Sequence, residues 1–463
     1  MACYSSVCYS QNSTINVVRT EEDIVIDGAL TEDTWKNANM VTDFFMTYPS
    51  DSIPSKTKTE VRAAYNDKFL YITALCYDDN EGDYVVQSLK RDYSFLVNDG
   101  FAVIIDAFRD GTSGLSFAVS PFGVQRDGIV ARGGAFGVST SWDGLWFSEV
   151  SRGGGYWSVE MAIPFKTLRF NPGSDNWAIN FVRNDLKENE VSAWQPIPRG
   201  FNVASLAHTG TMEWDEAPQK KGGKVILIPY VASTLSRDYT DTNQTKVEYK
   251  PNIGLDAKFD ITSSLNLDVT VNPDFSQVEV DEQVINLDRF ELNFPERRLY
   301  FQENSDLFAG LGNSRVRPFF SRRIGGVGND PVPVYGGVKL SGKLNKDWRV
   351  GLLGVHTGHL DSLVFDQNWF IVTAQRKVLK SSAIRGFVTN RQGFFDKKWN
   401  KNDYNRVGGL EFDFRSDDGE YTGHAYSHYA TNNEKLNKAY ALGFKGRYKS
   451  SKWSGFVGLD VIG

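Results

Sequence analysis

GLDAKFDITSSLNLDVTVN, residues 254–272, decides the fold class of the second half of the chain. Apolar residues occupy every second position from Leu255 to Ile261, and polar residues or glycine fill the positions between them. After Ser263 and Ser264, the same alternation runs from Leu265 to Val271. Successive side chains of a β-strand point to opposite faces, so a period of two indicates strands. The stretch predicts a tight antiparallel hairpin with one apolar and one polar face.

The same alternation returns further along the chain, in 410–415, 440–445 and 453–461. Strands of about nine residues with this pattern are typical of a transmembrane β-barrel. A soluble antiparallel sheet with one wet face gives an identical pattern and stays open as an alternative. No stretch reaches the ~18 consecutive apolar residues of a membrane helix, so no helical span is predicted. We predict an antiparallel transmembrane β-barrel portion over residues 225–463.

Residues 273–333 interrupt this alternation. The segment is charged, poorly alternating and too long for a barrel turn, so we expect a plug in the lumen or a structured loop at one rim. Arginine binds carboxylates in a bidentate manner, which suggests ion pairs inside the lumen. The alternative interpretation of the same charges is a gate for a ligand. The residues expected in these pairs are Glu296, Arg297, Arg298, Arg322 and Arg323, with Glu303 further on.

Residues 13–217 have the pattern of a separate all-β unit. EVRAAYNDKFLYITALCY (60–77) predicts a hairpin that turns at Asn66 and Asp67. GFAVIIDAF (100–108) is a continuous apolar run, which predicts a fully buried strand. Short strands separated by Gly and Asp suggest a jelly-roll-like β-sandwich. Residues 218–224, which are polar and contain a Gly pair, predict a linker.

Composition excludes some classes of function. The formal net charge of −6 argues against nucleic acid as a partner, because phosphate binding needs a basic face. The three cysteines form no CxxC pair and indicate neither a zinc site nor a disulfide framework. No nucleophile elbow, phosphate loop or dinucleotide fingerprint occurs, so we predict a protein that is not an enzyme. Residues 1–12 are read as a remnant of an export signal or as a short disordered terminus.

Several motifs carry a resemblance to known families. VIDGALTEDTW (25–35), FAVIIDAF (101–108) and WSVEMAIPFKTLRF (157–170), with SWDGLWFS and INFVRND, resemble the family 9 carbohydrate-binding module in the form common in Bacteroidetes. NPDFSQVEVDEQVINLDRFELNFPERRLYFQENSDLF (272–308), followed by FFSRRIGG, resembles the barrel domain of unknown function family 5916. The resemblance implies an exported protein of the cell outer membrane. The chain stops at LDVIG, without a terminal aromatic residue, so we expect a fragment with an incomplete barrel.

Sugar binding requires a flat aromatic ring that stacks on the pyranose, with polar groups that reach its hydroxyls. Trp142 lies in a Gly/Ser-rich loop and is a candidate for an exposed ring. The family's modules grip a terminal sugar between two tryptophans. By that resemblance Trp194, beside the polar Gln195, falls near the second position and Tyr93 near the first. The alternative is a sandwich that has lost sugar binding.

YDDNEGDY (77–84) is an acidic turn with hard oxygen ligands suited to calcium. The candidate ligands are Asp78, Asp79, Asn80 and Asp83. The spacing does not match an EF-hand, and a solvated hairpin loop is the alternative. The resemblance also implies calcium, because the family's modules often carry it as a structural ion.

These observations predict an outer-membrane protein with a carbohydrate-binding-like surface domain that binds glycan, and uptake of the ligand is a further expectation. Its expected partners are a carbohydrate and outer-membrane lipid. Two alternatives stay open. One is a structural or assembly protein of the outer membrane without sugar binding. The other is an accessory module of O-glycosyl hydrolysis.

Overall fold

A computed structural model gives the fold of most of the chain. It describes residues 13–51, 53–78, 82–135, 137–219, 225–237, 247–273, 296–313, 315–327, 330–360, 365–395, 398–433 and 439–463. The predicted signal remnant at 1–12, the linker residues 220–224 and the calcium candidates Asp79 and Asn80 lie outside the described residues. Strand accounts for 54% of the structure and helix for 6%, so the all-β prediction is confirmed.

Fourteen strands and one short helix form the first unit. They are β1 (Thr14–Arg19), α1 (Asp33–Asn37), β2 (Met40–Val41), β3 (Phe45–Tyr48), β4 (Thr59–Tyr65), β5 (Phe69–Tyr77), β6 (Gly100–Asp106), β7 (Gly114–Val119), β8 (Gln125–Val130), β9 (Val138–Ser139), β10 (Phe147–Gly153), β11 (Tyr156–Pro164), β12 (Asn176–Asp185), β13 (Glu190–Ala193) and β14 (Gly210–Trp214). Two short 3₁₀ helices lie between these strands: Phe95–Val97 precedes β6, and Arg132–Gly134 follows β8.

β1 joins the two layers of this unit. Thr14–Val17 pair in parallel with β14, and Val18–Arg19 pair in parallel with β4. One layer therefore runs β10-β11-β5-β4-β1, and the other runs β1-β14-β12-β6-β7-β8-β9. Apolar residues of both layers pack between them, among them Phe117, Trp157 and Trp177. The hairpin predicted at 60–77 is β4 with β5, and the predicted buried strand is β6.

The IDG…W motif closes one edge of the sandwich through a buried carboxylate. The backbone N–H groups of Asp27 and Gly28 donate to Glu160 Oε2 at 3.0 and 2.8 Å. The indole Nε1 of Trp35 donates to Glu160 Oε1 at 2.9 Å. Gly28 has φ +80°, and a Cβ there would lie 2.7 Å from the backbone N of Ser151. The motif residues are therefore structural, since one carboxylate holds the turn, the glycine and the tryptophan together.

The second unit consists of long strands with two short helices between them. They are β15 (Val225–Ser236), β16 (Glu248–Asp260), β17 (Leu265–Val271), α2 (Leu299–Gln302), α3 (Asp306–Ala309), β18 (Gly326–Val327), β19 (Asp330–Pro331), β20 (Val334–Lys343), β21 (Trp348–Thr357), β22 (Asp366–Val378), β23 (Ser382–Phe395), β24 (Lys398–Arg415), β25 (Tyr421–Asn432), β26 (Tyr440–Lys449) and β27 (Ser454–Ile462). A 3₁₀ helix covers Ser321–Arg323.

Eleven of these strands form one antiparallel sheet, in the order β15-β16-β17-β20-β21-β22-β23-β24-β25-β26-β27. The hairpin predicted at 254–272 is present, with Leu255 opposite Val271 and Asp260 opposite Asn266. Among the described residues no pairing joins β15 to β27, so closure of the sheet is not shown. No helix in the described part of the chain has the length and apolar character needed to cross a membrane.

The polarity of this sheet is reversed relative to a soluble one. In β24, Leu410 is 65% exposed whereas its neighbour Glu411 is 2% exposed. The same contrast holds in β17, where Asn266, Asp268 and Thr270 are buried. We call the buried, largely polar side the inner face and the exposed, largely apolar side the outer face. The outer face carries Leu255, Val271, Val338, Phe370, Val372, Ile384, Val388, Leu410, Phe412, Phe414, Leu442, Phe444, Leu459 and Val461.

The long insert packs on the inner face. Phe301, Leu307 and Phe308 belong to an apolar cluster with sheet residues such as Leu353 and Phe387. Charged contacts surround this cluster: both Nη atoms of Arg349 donate to the carboxylate of Asp306 at 2.7 and 3.1 Å. The described part of the insert is therefore anchored to the sheet by apolar contacts and by ion pairs.

Candidate functional site

Two of the predicted sugar-stacking rings are buried. The ring of Trp194 is 2% exposed and packs on Phe181 at a centroid distance of 5.5 Å. Tyr93 is 4% exposed, and burial raises the pKa of its phenol above the ordinary value. A ring inside the core offers no face to a pyranose. The prediction that Trp194 and Tyr93 stack on sugar is therefore wrong for this structure, because tertiary packing turns both rings inward.

The other two predicted sugar residues are half-buried and have different partners. The ring of Trp142 packs edge-on against Phe117 at 6.2 Å and lies over Gly144. Gln195 Oε1 accepts the backbone N–H of Ser13 at 3.2 Å. Gln195 thus ties down the start of β1, and only Trp142 belongs to an open loop region.

Trp142 lies beside a charged cluster that we call the Arg91 cluster, formed by Arg91, Asp92, Asp127 and Asp143. Arg91 Nη2 donates to Asp127 Oδ1 at 2.5 Å, and Arg91 Nε donates to Asp143 Oδ1 at 3.0 Å. The backbone N–H of Gly144 donates to Asp127 Oδ2 at 2.5 Å. Carboxylate oxygens of the three aspartates lie within 4.8 Å of one another. Arg91 and Asp92 precede β6, Asp127 lies in β8, and Asp143 lies between β9 and β10. The fold brings these three segments together.

Burial and mutual repulsion shape the electrostatics of this cluster. Burial, followed by the charge of Asp143, raises the pKa of Asp92 to about 6. Burial also raises the pKa of Asp127, while the Gly144 N–H and Arg91 oppose that increase. Fixed carboxylates, a guanidinium and a partly exposed indole are groups that can bind sugar hydroxyls. The sequence contained all of them in RDY, QRDG and SWDG, but their separations along the chain gave no sign that they meet.

Two of the four predicted calcium ligands, Asp78 and Asp83, lie in the described part of the chain. Asp78 forms an ion pair with Lys187, so an ammonium group already occupies its carboxylate. Asp83 is exposed. A carboxylate neutralised by lysine is a poor calcium ligand, because the ligand charge that attracts the ion is already compensated. We correct the prediction for Asp78 on this ground.

The predicted lumen ion pairs are found in part. Arg298 Nε and Nη2 donate to the two carboxylate oxygens of Glu296 at 2.8 and 2.7 Å. Both residues are buried, and Arg298 also donates to the carbonyls of Ser321 and Ile324. Arg298 thus connects the segment before α2 to the 3₁₀ helix at Ser321–Arg323. Arg297 and Arg322 are half-buried and Arg323 is exposed.

A second polar region lies on the inner face near β24 to β27. His424 Nδ1 lies 2.8 Å from Asp413 Oδ1, and His428 Nε2 lies 3.0 Å from Glu411 Oε1. Asp413 faces His424 across the β24–β25 pair. His424 and His428 are four residues apart on β25, so both lie on the same face of the strand, and this face is buried. The carboxylate partners come from the neighbouring strand and were not anticipated.

Comparison with known families identifies both halves of the chain. Residues 26–195 match the family described as carbohydrate family 9 binding domain-like, and residues 224–378 match the domain of unknown function DUF5916. Both resemblances drawn from the sequence are confirmed. The chain thus joins a family 9-like domain to a DUF5916 domain. The Arg91 cluster lies within the family 9-like domain.

Solved structures give a more distant likeness. One is a carbohydrate-binding module of family 9 from Caldicellulosiruptor kristjanssonii in complex with cellotriose, 16% identical, covering 45% of this chain and 95% of its own, with a TM-score of 0.32. The same module in complex with glucose is 15% identical, covers 45% and 98%, and has a TM-score of 0.32. No curated protein matches the chain.

Proposed function

We propose that this chain is an outer-membrane protein in which a carbohydrate-binding domain sits at the mouth of a β-barrel. The observation that carries the proposal is the reversed polarity of the eleven-stranded sheet. A soluble sheet buries its apolar face and wets its polar face. A transmembrane barrel does the opposite, with apolar side chains towards lipid and polar ones towards the lumen. The exposed outer face and the buried inner face follow the second arrangement.

The first unit contacts one end of the eleven-stranded sheet, the end at which short turns connect successive strands. Gly111 lies against Ser381 in the β22–β23 turn, and Gly419 in the β24–β25 turn lies against Phe201. Gly200 lies against the β26–β27 turn. Arg169 donates to Asn266, just after the β16–β17 turn, at 2.7 Å. The opposite end of the sheet carries the connections 237–247, 272–333, 358–365 and 433–439, with a short one at 396–397.

This arrangement supports a periplasmic position for the first unit. In outer-membrane barrels the short turns face the periplasm and the longer loops face outward. The carbohydrate-binding domain would therefore meet saccharide that has reached the inner side of the membrane. Uptake of a saccharide through the barrel then fits better than capture from outside.

Single-cysteine labelling tests the membrane position and the orientation together. Asn433→Cys lies at the long-connection end, and Leu89→Cys is an exposed site of the first unit. In intact cells of a Gram-negative host, a membrane-impermeant maleimide is expected to label Asn433→Cys. Leu89→Cys is expected to react only after the outer membrane is permeabilised. Labelling of Leu89→Cys alone in intact cells would overturn the orientation, and recovery of the chain in the soluble fraction would overturn the membrane proposal.

Carbohydrate binding by the first unit is the second part of the proposal. It rests on the family 9-like match and on the Arg91 cluster beside Trp142. On a glycan array the full chain in detergent is expected to bind neutral saccharides, and Trp142→Ala is expected to lose most of this signal. Trp453→Ala, an exposed tryptophan of the second unit, serves as the matched control. Equal binding by wild type and Trp142→Ala would show that Trp142 does not bind the saccharide.

Burial of Trp194 and Tyr93 favours a second candidate function. A sandwich without an open pair of rings would serve as a structural or assembly module of the outer membrane, as the sequence left open. Absence of binding to every glycan on the array would support this candidate. Release of reducing sugar by the purified chain would instead support the hydrolase alternative.

A further inference from the structure

A cavity of about 390 Å³ lies between the first unit and the inner face of β24 to β27. Pockets for small ligands usually measure about 300–1,000 Å³, so the space suits a molecule of the size of a small saccharide. Arg132 and Ala135 of the first unit form one wall, and the inner face and the insert residue Asn313 form the others. The cavity lies at the short-turn end of the sheet, away from the Arg91 cluster.

The strand register concentrates positive charge around this cavity. Arg415, Thr422 and Arg447 are directly opposite one another on adjacent strands, and so are Asp413, His424 and Lys445. Residues that oppose each other in this way share a face of the sheet. Permanent cations among the lining residues are Arg132, Arg415, Lys445 and Arg447, whereas Asp413 is the one carboxylate among the described lining residues. The lining therefore carries an excess of positive charge.

The single carboxylate of the lining is already engaged. Asp413 Oδ1 lies 2.8 Å from His424 Nδ1 and 3.6 Å from Arg132 Nε. Lys445 has its nearest carboxylate at Asp460, 3.9 Å away, which is the limit of an ion pair. Among the described lining residues, Asp413 therefore compensates only part of the positive charge.

Arg415 supplies the most direct evidence for an anionic ligand. Its side chain is 7% exposed, and it donates to the carbonyls of Arg132 and Gly133 and to Ser205 Oγ, all neutral acceptors. In the part of the chain that the structure describes, Arg415 forms no ion pair and its Nε has no hydrogen-bond partner. A buried charge without a counter-charge is costly. An anion in the cavity would compensate it.

His424 contributes a second unused group. It is 9% exposed and lines the cavity, and its Nε2 has no hydrogen-bond partner among the described residues. Nδ1 faces Asp413, which orients the ring and leaves Nε2 for another partner. Two buried polar groups on adjacent strands, Arg415 Nε and His424 Nε2, thus have no hydrogen-bond partner among the described residues.

We propose that this cavity binds the acidic group of an anionic saccharide, a sugar that carries a carboxylate or a phosphate ester. The guanidinium fork of arginine matches the geometry of both groups. This proposal rests on the proposed function, because the cavity lies where a saccharide leaving the lumen would reach the first unit. It adds the ligand class, and a binding site separate from the Arg91 cluster.

Calorimetric titration of the full chain in detergent micelles tests the proposal with four probes. D-glucuronic acid and glucose 6-phosphate represent the two acidic groups, glucose is the neutral match of both, and inorganic phosphate is the anion without a sugar. We expect at least one acidic sugar to bind at least about tenfold more tightly than glucose and phosphate, a factor that corresponds to one charge-assisted contact. The better acidic sugar identifies the group. Phosphate binding as tightly as both sugars, or no preference for acid over glucose, would overturn the proposal.

Variants assign the binding to the cavity. Lys445 and Arg447 are exposed, so the double variant Lys445→Gln/Arg447→Gln retains the fold. It is expected to weaken binding of the acidic sugar by about tenfold or more. Lys452→Gln, an exposed lysine in the β26–β27 turn, is the control and is expected to bind like wild type. Unchanged binding in the double variant would overturn the site.

Trp142→Ala keeps this proposal separable from the proposed function. If the Arg91 cluster binds neutral sugar and the cavity binds acid, Trp142→Ala loses only the neutral ligand and the double variant loses only the acidic one. If the wild type and both variants fail to bind neutral sugar while the wild type binds acidic sugar, the Arg91 cluster is not a sugar site. The proposal for the cavity is then retained. Parallel loss of both ligands in either variant would contradict two separate sites.

Discussion

At the scale of single residues, burial decides what the charged groups of the first unit do. Glu160 is fully buried but satisfies three donors, two of them from the turn of the IDG…W motif. Asp92 is half-buried beside two other carboxylates, Asp127 and Asp143, which form ion pairs with Arg91. The first arrangement is structural because no donor is left for a ligand. The second keeps charge at an open loop region.

Removal of the Glu160 carboxylate is expected to destabilise the first unit. Glu160→Ala leaves the Trp35 indole and two backbone N–H groups without an acceptor, at a cost of about 3 kcal/mol in the free energy of unfolding. Glu160→Gln keeps one acceptor and should lose less. Urea denaturation followed by tryptophan fluorescence measures both. Glu149→Ala, the exposed cross-strand neighbour, is the control, and an equal loss in that variant would contradict the role of Glu160.

Asp92 predicts a pH dependence of stability. Its pKa is raised from the ordinary 3.8 to about 6, first by burial and then by Asp143. The folded protein therefore holds this proton more tightly than the unfolded chain, and the stability that it contributes is fully present below about pH 4 and is lost as the pH rises through 6. Asp92→Asn should remove this decline between pH 4 and 6 and be more stable than wild type at pH 7. Thermal denaturation at a series of pH values measures it. An unchanged slope in the variant would refute the assignment.

At the scale of elements, the long strands place apolar side chains outward and polar ones inward. The insert fills part of the inner side, where Phe301, Leu307 and Phe308 cover the polar face of the sheet. Glu303, which follows α2, contacts Lys258 of β16 and Arg169 of the first unit. Burial alone would raise the pKa of Glu303, but Arg169 and Lys258 hold it down to about 2. The insert is thus fixed by charges from two directions.

A charge on the outer face is expected to oppose insertion into lipid. Val388 lies in the middle of β23 and is 55% exposed, whereas Leu379 is 73% exposed in the β22–β23 turn. Val388→Arg should make folding into phospholipid vesicles less favourable by about 2–4 kcal/mol, because the centre of the strand would lie at the bilayer midplane in the proposed barrel. Leu379→Arg, near the interface, should change it by about 0–1 kcal/mol. Urea titration in vesicles measures both. Similar small effects at the two positions would contradict a lipid-facing sheet.

At the scale of the whole molecule, buried charges join the two units. Asp110 of the first unit pairs with Lys343 at the end of β20, and both side chains are buried. Arg132 donates to the carbonyl of Gly310 in the insert at 2.7 Å. The units therefore meet through polar contacts at the short-turn end, with the cavity between them.

The Asp110–Lys343 pair is expected to couple the two units. Asp110→Ala or Lys343→Ala alone leaves one buried charge unpaired, at a cost of about 3–5 kcal/mol. The double variant removes both charges and should lose clearly less than the sum of the single variants. A double-mutant cycle in denaturant measures this coupling. Additive losses would show that the two side chains do not interact.

The sequence by itself determined the strands and the positions of the turns between them. Alternation from Leu255 to Val271 predicted β16 and β17 because strand geometry is local, with a side-chain period of two. The family motifs likewise gave the order of the two units. These features depend on residues that are close together in the chain.

Only the tertiary structure decided which faces are buried and which residues meet. Period-two alternation is the same for a soluble sheet and a barrel, so burial of Glu411 beside exposed Leu410 had to come from packing. Trp194 was predicted to stack on sugar, but its packing on Phe181 places it in the core. The Arg91 cluster and the cavity around Arg415 combine residues distant in the chain. Such contacts depend on strand register and on how layers pack, which no local pattern encodes.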